Sequence, residues 1–89
     1  MARLIRLLNA ARRSPRNLRF TDLCALAEAA GFAFKRQSGS HRIYVHPNPQ
    51  VPPMNFQERD GKAKPYQVKQ LLFAIEEHRL LNTLKGEDP

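Results

Sequence analysis

At Gly31 the apolar residues of this chain stop repeating as they do along a helix and begin to alternate, and no other feature restricts its fold as much. Upstream, Leu23, Leu26, Ala27 and Ala30 make one helical stripe. Thr21 stands where an N-cap is wanted, Asp22 falls in the first turn, and Gly31 suits the residue just past the end. Downstream, Phe32, Phe34 and Arg36 alternate against Ala33 and Lys35. Ser38-Gly39-Ser40 then turns the chain, and a second alternating run goes from His41 to Val45. A helix feeding a β-hairpin is therefore the centre of the fold.

The flanks extend this pattern. Leu4, Ile5, Leu7, Leu8 and Ala11 fit one face of an N-terminal helix that ends before Pro15, with Arg3, Arg6, Arg12 and Arg13 around it. Residues 47–53, PNPQVPP, hold four of the chain's seven prolines and cannot sit in a central sheet ladder, whereas MNFQ after them suits a short third strand. Asp60-Gly61 marks another turn. Pro65 opens a last helix with a stripe of Val68, Leu71, Leu72, Ile75 and Leu80. The expectation is one α+β domain over residues 1–89, with a helical extension at 1–14, a core over 20–80 and a frayed tail at 85–89. Helices cover one face of the small antiparallel sheet and leave the other open, bordered by Arg36, Arg42 and the lysines of GKAK.

At 89 residues the chain buries only about 60–65% of the surface its unfolded form exposes, so the core must be small. The single cysteine, Cys24, rules out an internal disulfide framework and a Cys-rich zinc site, and the expected compartment is the reducing cytoplasm. Residues 1–13 are too short an apolar run to span a membrane, and Arg3 and Arg6 interrupt what would have to be a signal's apolar core. Fifteen basic against eight acidic residues give a net charge of +7. Residues 1–50 carry all of that excess, with nine Lys/Arg and two Asp/Glu, while residues 51–89 hold six of each. Clustered arginine of this kind is the footprint of a polyanion binder, and also suits an acidic protein or an anionic surface.

Of the three histidines, His41 stands at the mouth of the hairpin. On a strand it shares a face with Ile43 and Val45, while Arg42, Tyr44 and His46 share the other. One reading makes it a strand-edge histidine satisfied by a local hydrogen bond. The other makes it a base: Arg36 and Arg42 nearby disfavour protonation, and neutral imidazole accepts a proton. Against RNA that base would take the ribose 2′-OH proton, with arginine or lysine stabilising charge on the phosphoryl oxygens. His41 and His46 are five apart and face opposite ways, and no carboxylate or cysteine stands at ligand spacing, so no metal and no other cofactor is expected. Cys24 reads as a small core residue and His78 as a cap or surface residue near the end of the last helix. Lys62 and Lys64 precede a helix N-terminus, where anions are attracted, although DGKAKPYQVKQLL lacks the earlier glycine and the Ser/Thr of a Walker loop.

With these elements in order, LCALAEAAGF (23–32), SGSHRIYVHP (38–47) and GKAKPYQVKQLLFAIEE (61–77) resemble the HicA toxins, small mRNA interferases of bacterial toxin–antitoxin pairs. With their spacers these segments span residues 20–80. The resemblance implies a double-stranded-RNA-binding-like α-β-β-β-α core, to which this chain adds an N-terminal helix. It implies endoribonuclease activity on mRNA with His41, after Gly-Ser, as the catalytic residue. Arg36, Ser38, Gly39, Ser40, Arg42, Lys62 and Lys64 are the expected phosphate and RNA contacts. A HicB-like antitoxin that covers the active site in a hetero-oligomer is the implied partner. Many members begin near the helix at Thr21, so the arginine-rich first helix is an extension, and VPPMNFQERDG is more proline-rich and polar than the family's third strand. A non-catalytic RNA-binding module or an inactivated toxin of the same shape is the alternative reading, and a basic face made chiefly for an acidic partner is a third.

Overall fold

The computed structural model describes the backbone of residues 2–81 and the side chains from Leu4 to Leu81. The expected frayed tail at 85–89 lies outside the described residues. Helix α1 (Ala2–Arg13) leads through a single turn of 3-10 helix at Pro15–Asn17 into α2 (Phe20–Ala29). Strands β1 (Ala33–Ser38), β2 (His41–Val45), β3 (Met54–Arg59) and β4 (Lys62–Ala63) follow, and α3 (Pro65–Glu77) closes the fold. The strands form one antiparallel sheet in the order β1-β2-β3-β4.

The helices lie on one face of the sheet. Tyr44, Met54 and Phe56 project into them and are fully buried with Leu23, Leu26, Val68 and Leu71. Burial of each such side chain contributes on the order of 1.5–3 kcal/mol. The N-terminal extension packs on this core rather than standing apart. Ala11 is fully buried, Leu8 lies against the cluster, and Arg6, Arg12 and Arg13 are exposed.

Three local expectations are corrected, and a fourth bears on the site. Thr21 is not the N-cap of α2. That position is Arg19, and Thr21 is exposed in the first turn. Arg19 Nε donates to Asp22 Oδ2 at 3.1 Å, so a side-chain ion pair stands where a hydroxyl cap was expected. The sheet has four strands instead of three. Asp60 (φ +53) and Gly61 (φ +80) form a tight turn with both central residues left-handed, whose twist suits a hairpin, and it returns Lys62 and Ala63 to pair with Arg59 and Glu58. The last helix also ends before its stripe does: His78 is the C-cap, and Leu80 is buried in the turn beyond it.

The fourth correction concerns β1. Strict alternation would place Phe34 and Arg36 on the same face, but the register shifts between them, with Phe34 opposite Tyr44 and Arg36 opposite Ile43. The extra residue, Lys35, is a β-bulge, and a bulge exchanges the faces on either side of it. Phe34 therefore stays on the helical side, its ring 5.8 Å from that of Tyr44, while Arg36 and Ser38 move to the open face.

Candidate functional site

Paired residues of an antiparallel sheet share a face, so the register determines what the open face carries. One rung runs Arg36–Ile43–Asn55 and the next Ser38–His41–Gln57. Beyond it, Arg59 pairs with Lys62. The hairpin loop is the two residues Gly39-Ser40, which sets Ser40 beside His41.

His41 Nδ1 lies 3.0 Å from Asn55 Oδ1. With the amide oxygen facing the ring, Nδ1 carries the proton and donates, and Nε2 is left with its lone pair. Nε2 has no hydrogen-bond partner among the described residues. Next to it runs a second chain of polar groups: Lys64 Nζ donates to Gln57 Oε1 at 2.6 Å, and Gln57 Nε2 donates to Ser40 Oγ at 3.2 Å. A base with a free lone pair and a cation thus stand on the same open surface, each held by a β3 amide.

The β3 residues are themselves held from α3. Gln67 is buried, its Oε1 accepting from the Gln57 backbone N–H at 2.9 Å and its Nε2 donating to the Asn55 backbone C=O at 2.8 Å. Its amide occupies the edge of β3 where β4 has not yet begun to pair, and satisfies two backbone groups that would otherwise be unpaired there.

The expected site residues divide between the two faces. Arg36, Ser38, His41, Lys62 and Lys64 share the open face, with Gly39 and Ser40 at its rim. Arg42 does not border it. Its guanidinium lies 4.6 Å from the Phe34 ring centre and 5.8 Å from that of Tyr44 on the helical side, with a buried Nε that has no hydrogen-bond partner among the described residues. Lys64 is directed at Gln57 rather than at the start of α3. Asn55, Gln57 and Gln67 are the site residues that sequence reasoning missed.

The other histidines serve the scaffold. His46 Nδ1 accepts from the Asn48 backbone N–H at 3.0 Å, so its Nε2–H donates to the Ala30 carbonyl, also at 3.0 Å. Its ring meets Phe32 edge-on at 5.0 Å and leaves room only for glycine at position 31, where a Cβ would come within 2.8 Å of Nε2 and φ is +102°. His78 caps α3. Burial pushes the Cys24 thiol up; burial, aided by the neighbouring Cys24, pushes the Tyr44 phenol well above its usual range. Both stay protonated at neutral pH, which leaves Cys24 a core residue rather than a nucleophile. Among the described residues no group of three or more His, Cys, Asp or Glu is placed to share a metal ion, and no helix is long and apolar enough to cross a membrane.

No curated protein and no solved structure matches the chain. A family model described as HicA toxin of bacterial toxin-antitoxin matches residues 20–76, from the first residue of α2 almost to the end of α3, and so includes every residue of the open-face network. The chain belongs to the HicA toxin family, the toxin component of bacterial toxin–antitoxin systems.

Proposed function

We propose that this toxin is an endoribonuclease that cuts mRNA in the cytoplasm without a metal ion, using His41 as its base, and that a HicB-like antitoxin silences it by covering the open sheet face. The observation that carries the proposal is the fixed His41 ring: Asn55 accepts from Nδ1–H and leaves Nε2 as a lone pair on an exposed, cationic surface. His41 Nε2 removes the proton from a ribose 2′-OH, and O2′ attacks the adjacent phosphorus. The P–O5′ bond breaks, giving a 2′,3′-cyclic phosphate, and the imidazolium returns its proton to the departing 5′-oxygen. Lys64 Nζ uses one of its three N–H donors on Gln57, so two remain for the phosphoryl oxygens as charge develops. Arg36, Ser38, Gly39 and Ser40 surround that phosphate in this scheme, and Lys62 meets the RNA one step further along the sheet. Arg42 stiffens the strand from behind and makes no phosphate contact.

The test is incubation of the purified chain with a defined RNA in the presence of EDTA, beside His41→Ala. General acid–base catalysis is worth about 10²–10⁴ in rate, so the alanine variant should be slower by that factor while still binding RNA. A cyclic phosphate on the upstream fragment is the expected product end. Cleavage that stops with EDTA sinks the metal-free route, and undiminished cleavage by the variant sinks the assignment of His41. RNA binding without cleavage by the wild type would establish the non-catalytic binding module instead.

A further inference from the structure

Beyond the His41 rung the open face carries a second cationic feature, which the cleavage chemistry leaves unused. Arg59 is two residues past Gln57 on β3 and pairs with Lys62 on β4. The segment before α2 continues this rung: Arg19 forms an isolated antiparallel bridge with Lys62, fixed by Ala63 N–H to Leu18 C=O at 2.9 Å and Phe20 N–H to Gly61 C=O at 3.0 Å. Arg19, Lys62 and Arg59 therefore project from one face in one row, two residues along the strand from His41 and Gln57, a step of about 7 Å. All three are exposed. Asp22 takes only the Nε of Arg19, which orients the guanidinium and leaves its terminal nitrogens without a hydrogen-bond partner among the described residues. Glu58, the nearest carboxylate on β3, pairs with buried Ala63 and so lies on the other face.

We infer that the Arg19–Lys62–Arg59 row is a second phosphate-binding site, which holds a backbone phosphate next to the scissile one in the same RNA strand. The inference rests on the RNA-cleaving reading of the site and adds to it a strand direction: RNA crosses the sheet from the His41 rung toward β4 and the start of α2. Asp22 takes one nitrogen of Arg19, and among the described residues no carboxylate is paired with Arg59 or Lys62; a row of cations of this kind favours a polyanion over an acidic protein patch, because phosphates are regularly spaced along a strand.

The experiment measures binding of a short fluorescent single-stranded RNA, at several salt concentrations, to His41→Ala and to the same protein carrying Arg59→Gln and Lys62→Gln. A charge-matched control carries Lys69→Gln and Arg79→Gln instead, on the helical side. Each phosphate of a single strand that is no longer neutralised reduces the slope of log K against log [salt] by about 0.7, so the row variant, which loses two of the three cations around one phosphate, should be shallower by about 0.7. The control should keep the parent slope. An unchanged slope in a folded row variant, or an equal change in the control, overturns the second site and leaves the cleavage scheme standing. Absence of salt-dependent RNA binding by His41→Ala itself overturns both.

Discussion

Asn55 offers the sharpest test of the catalytic arrangement, because its side chain acts through one hydrogen bond of 3.0 Å to His41 Nδ1. In Asn55→Ala the ring loses the acceptor that fixes its tautomer. A net hydrogen bond is worth about 0.5–1.5 kcal/mol, which corresponds to a rate loss of about 2- to 13-fold. That is far less than the loss expected on removing the base itself. The loss should fall on kcat, with KM little changed, since Asn55 touches the histidine and not the phosphate in this scheme. Asn55→Asp separates positioning from chemistry: a carboxylate still accepts from Nδ1 but also favours the imidazolium. Two unit charges about 3 Å apart in bulk water interact by about 1.4 kcal/mol, so the acidic limb of the kcat/KM profile should move up by about one pH unit at low ionic strength and by less as salt is added. Single-turnover cleavage of a defined RNA across pH measures both variants. A loss in Asn55→Ala as deep as that of His41→Ala, or an acidic limb that does not move in Asn55→Asp, would refute the reasoning.

The scaffold yields three further expectations. Gly31→Ala places a Cβ 2.8 Å from His46 Nε2 at a φ of +102° and breaks the bond to the Ala30 carbonyl, so urea unfolding should show a loss of roughly 2–4 kcal/mol; a loss under about 1 kcal/mol would mean the joint is not tight. Gln67→Met leaves the Gln57 N–H and the Asn55 C=O without partners, at a cost of roughly 2–5 kcal/mol, and should impair cleavage although Gln67 touches no substrate; normal stability with normal cleavage would contradict this. The raised Cys24 and Tyr44 groups bind their protons more tightly folded than unfolded, so stability is fully present below their unfolded values of 9.0 and 10.0 and falls as pH rises beyond them. Chemical denaturation at rising pH should show this fall and a flatter dependence in Cys24→Ala/Tyr44→Phe, by up to about 1.4 kcal/mol per pH unit for each group; parallel curves would be the contrary result.

Where the sequence spoke plainly, local pattern and tertiary structure agreed. The change of period at Gly31, the Gly39-Ser40 loop and the proline-rich span before β3 all express backbone preferences of a few neighbouring residues, and each element lies where those preferences put it. The bulge at Lys35 carries no such mark, because nothing in Phe-Lys-Arg distinguishes a bulged strand from a regular one. Asp60-Gly61 did carry a hairpin signal, yet the two-residue β4 was too short to show alternation. His41 was legible as a residue; its surroundings were not. Asn55 lies fourteen positions from His41 and Gln57 seventeen from Ser40, and both take their places from the length and bends of the 46–53 connection, which sets the β2–β3 register. A single amide in a polar strand has no periodic signature, and neither does Gln67 inside an otherwise ordinary helical stripe.

The Gln67 amide on the edge of β3 joins the fate of α3 to that of the reactive surface. The Gln57 N–H bonds across to α3 rather than to a fourth strand, so its hydrogen can exchange with solvent only when the N-terminal turn of α3 lifts away. At that moment the backbone of Asn55 and Gln57 is released, and with it the two amides that aim His41 and Lys64. The protection of this one amide against exchange therefore reports the free energy of the opening that releases His41 and Lys64, the two groups on which the proposed cleavage depends.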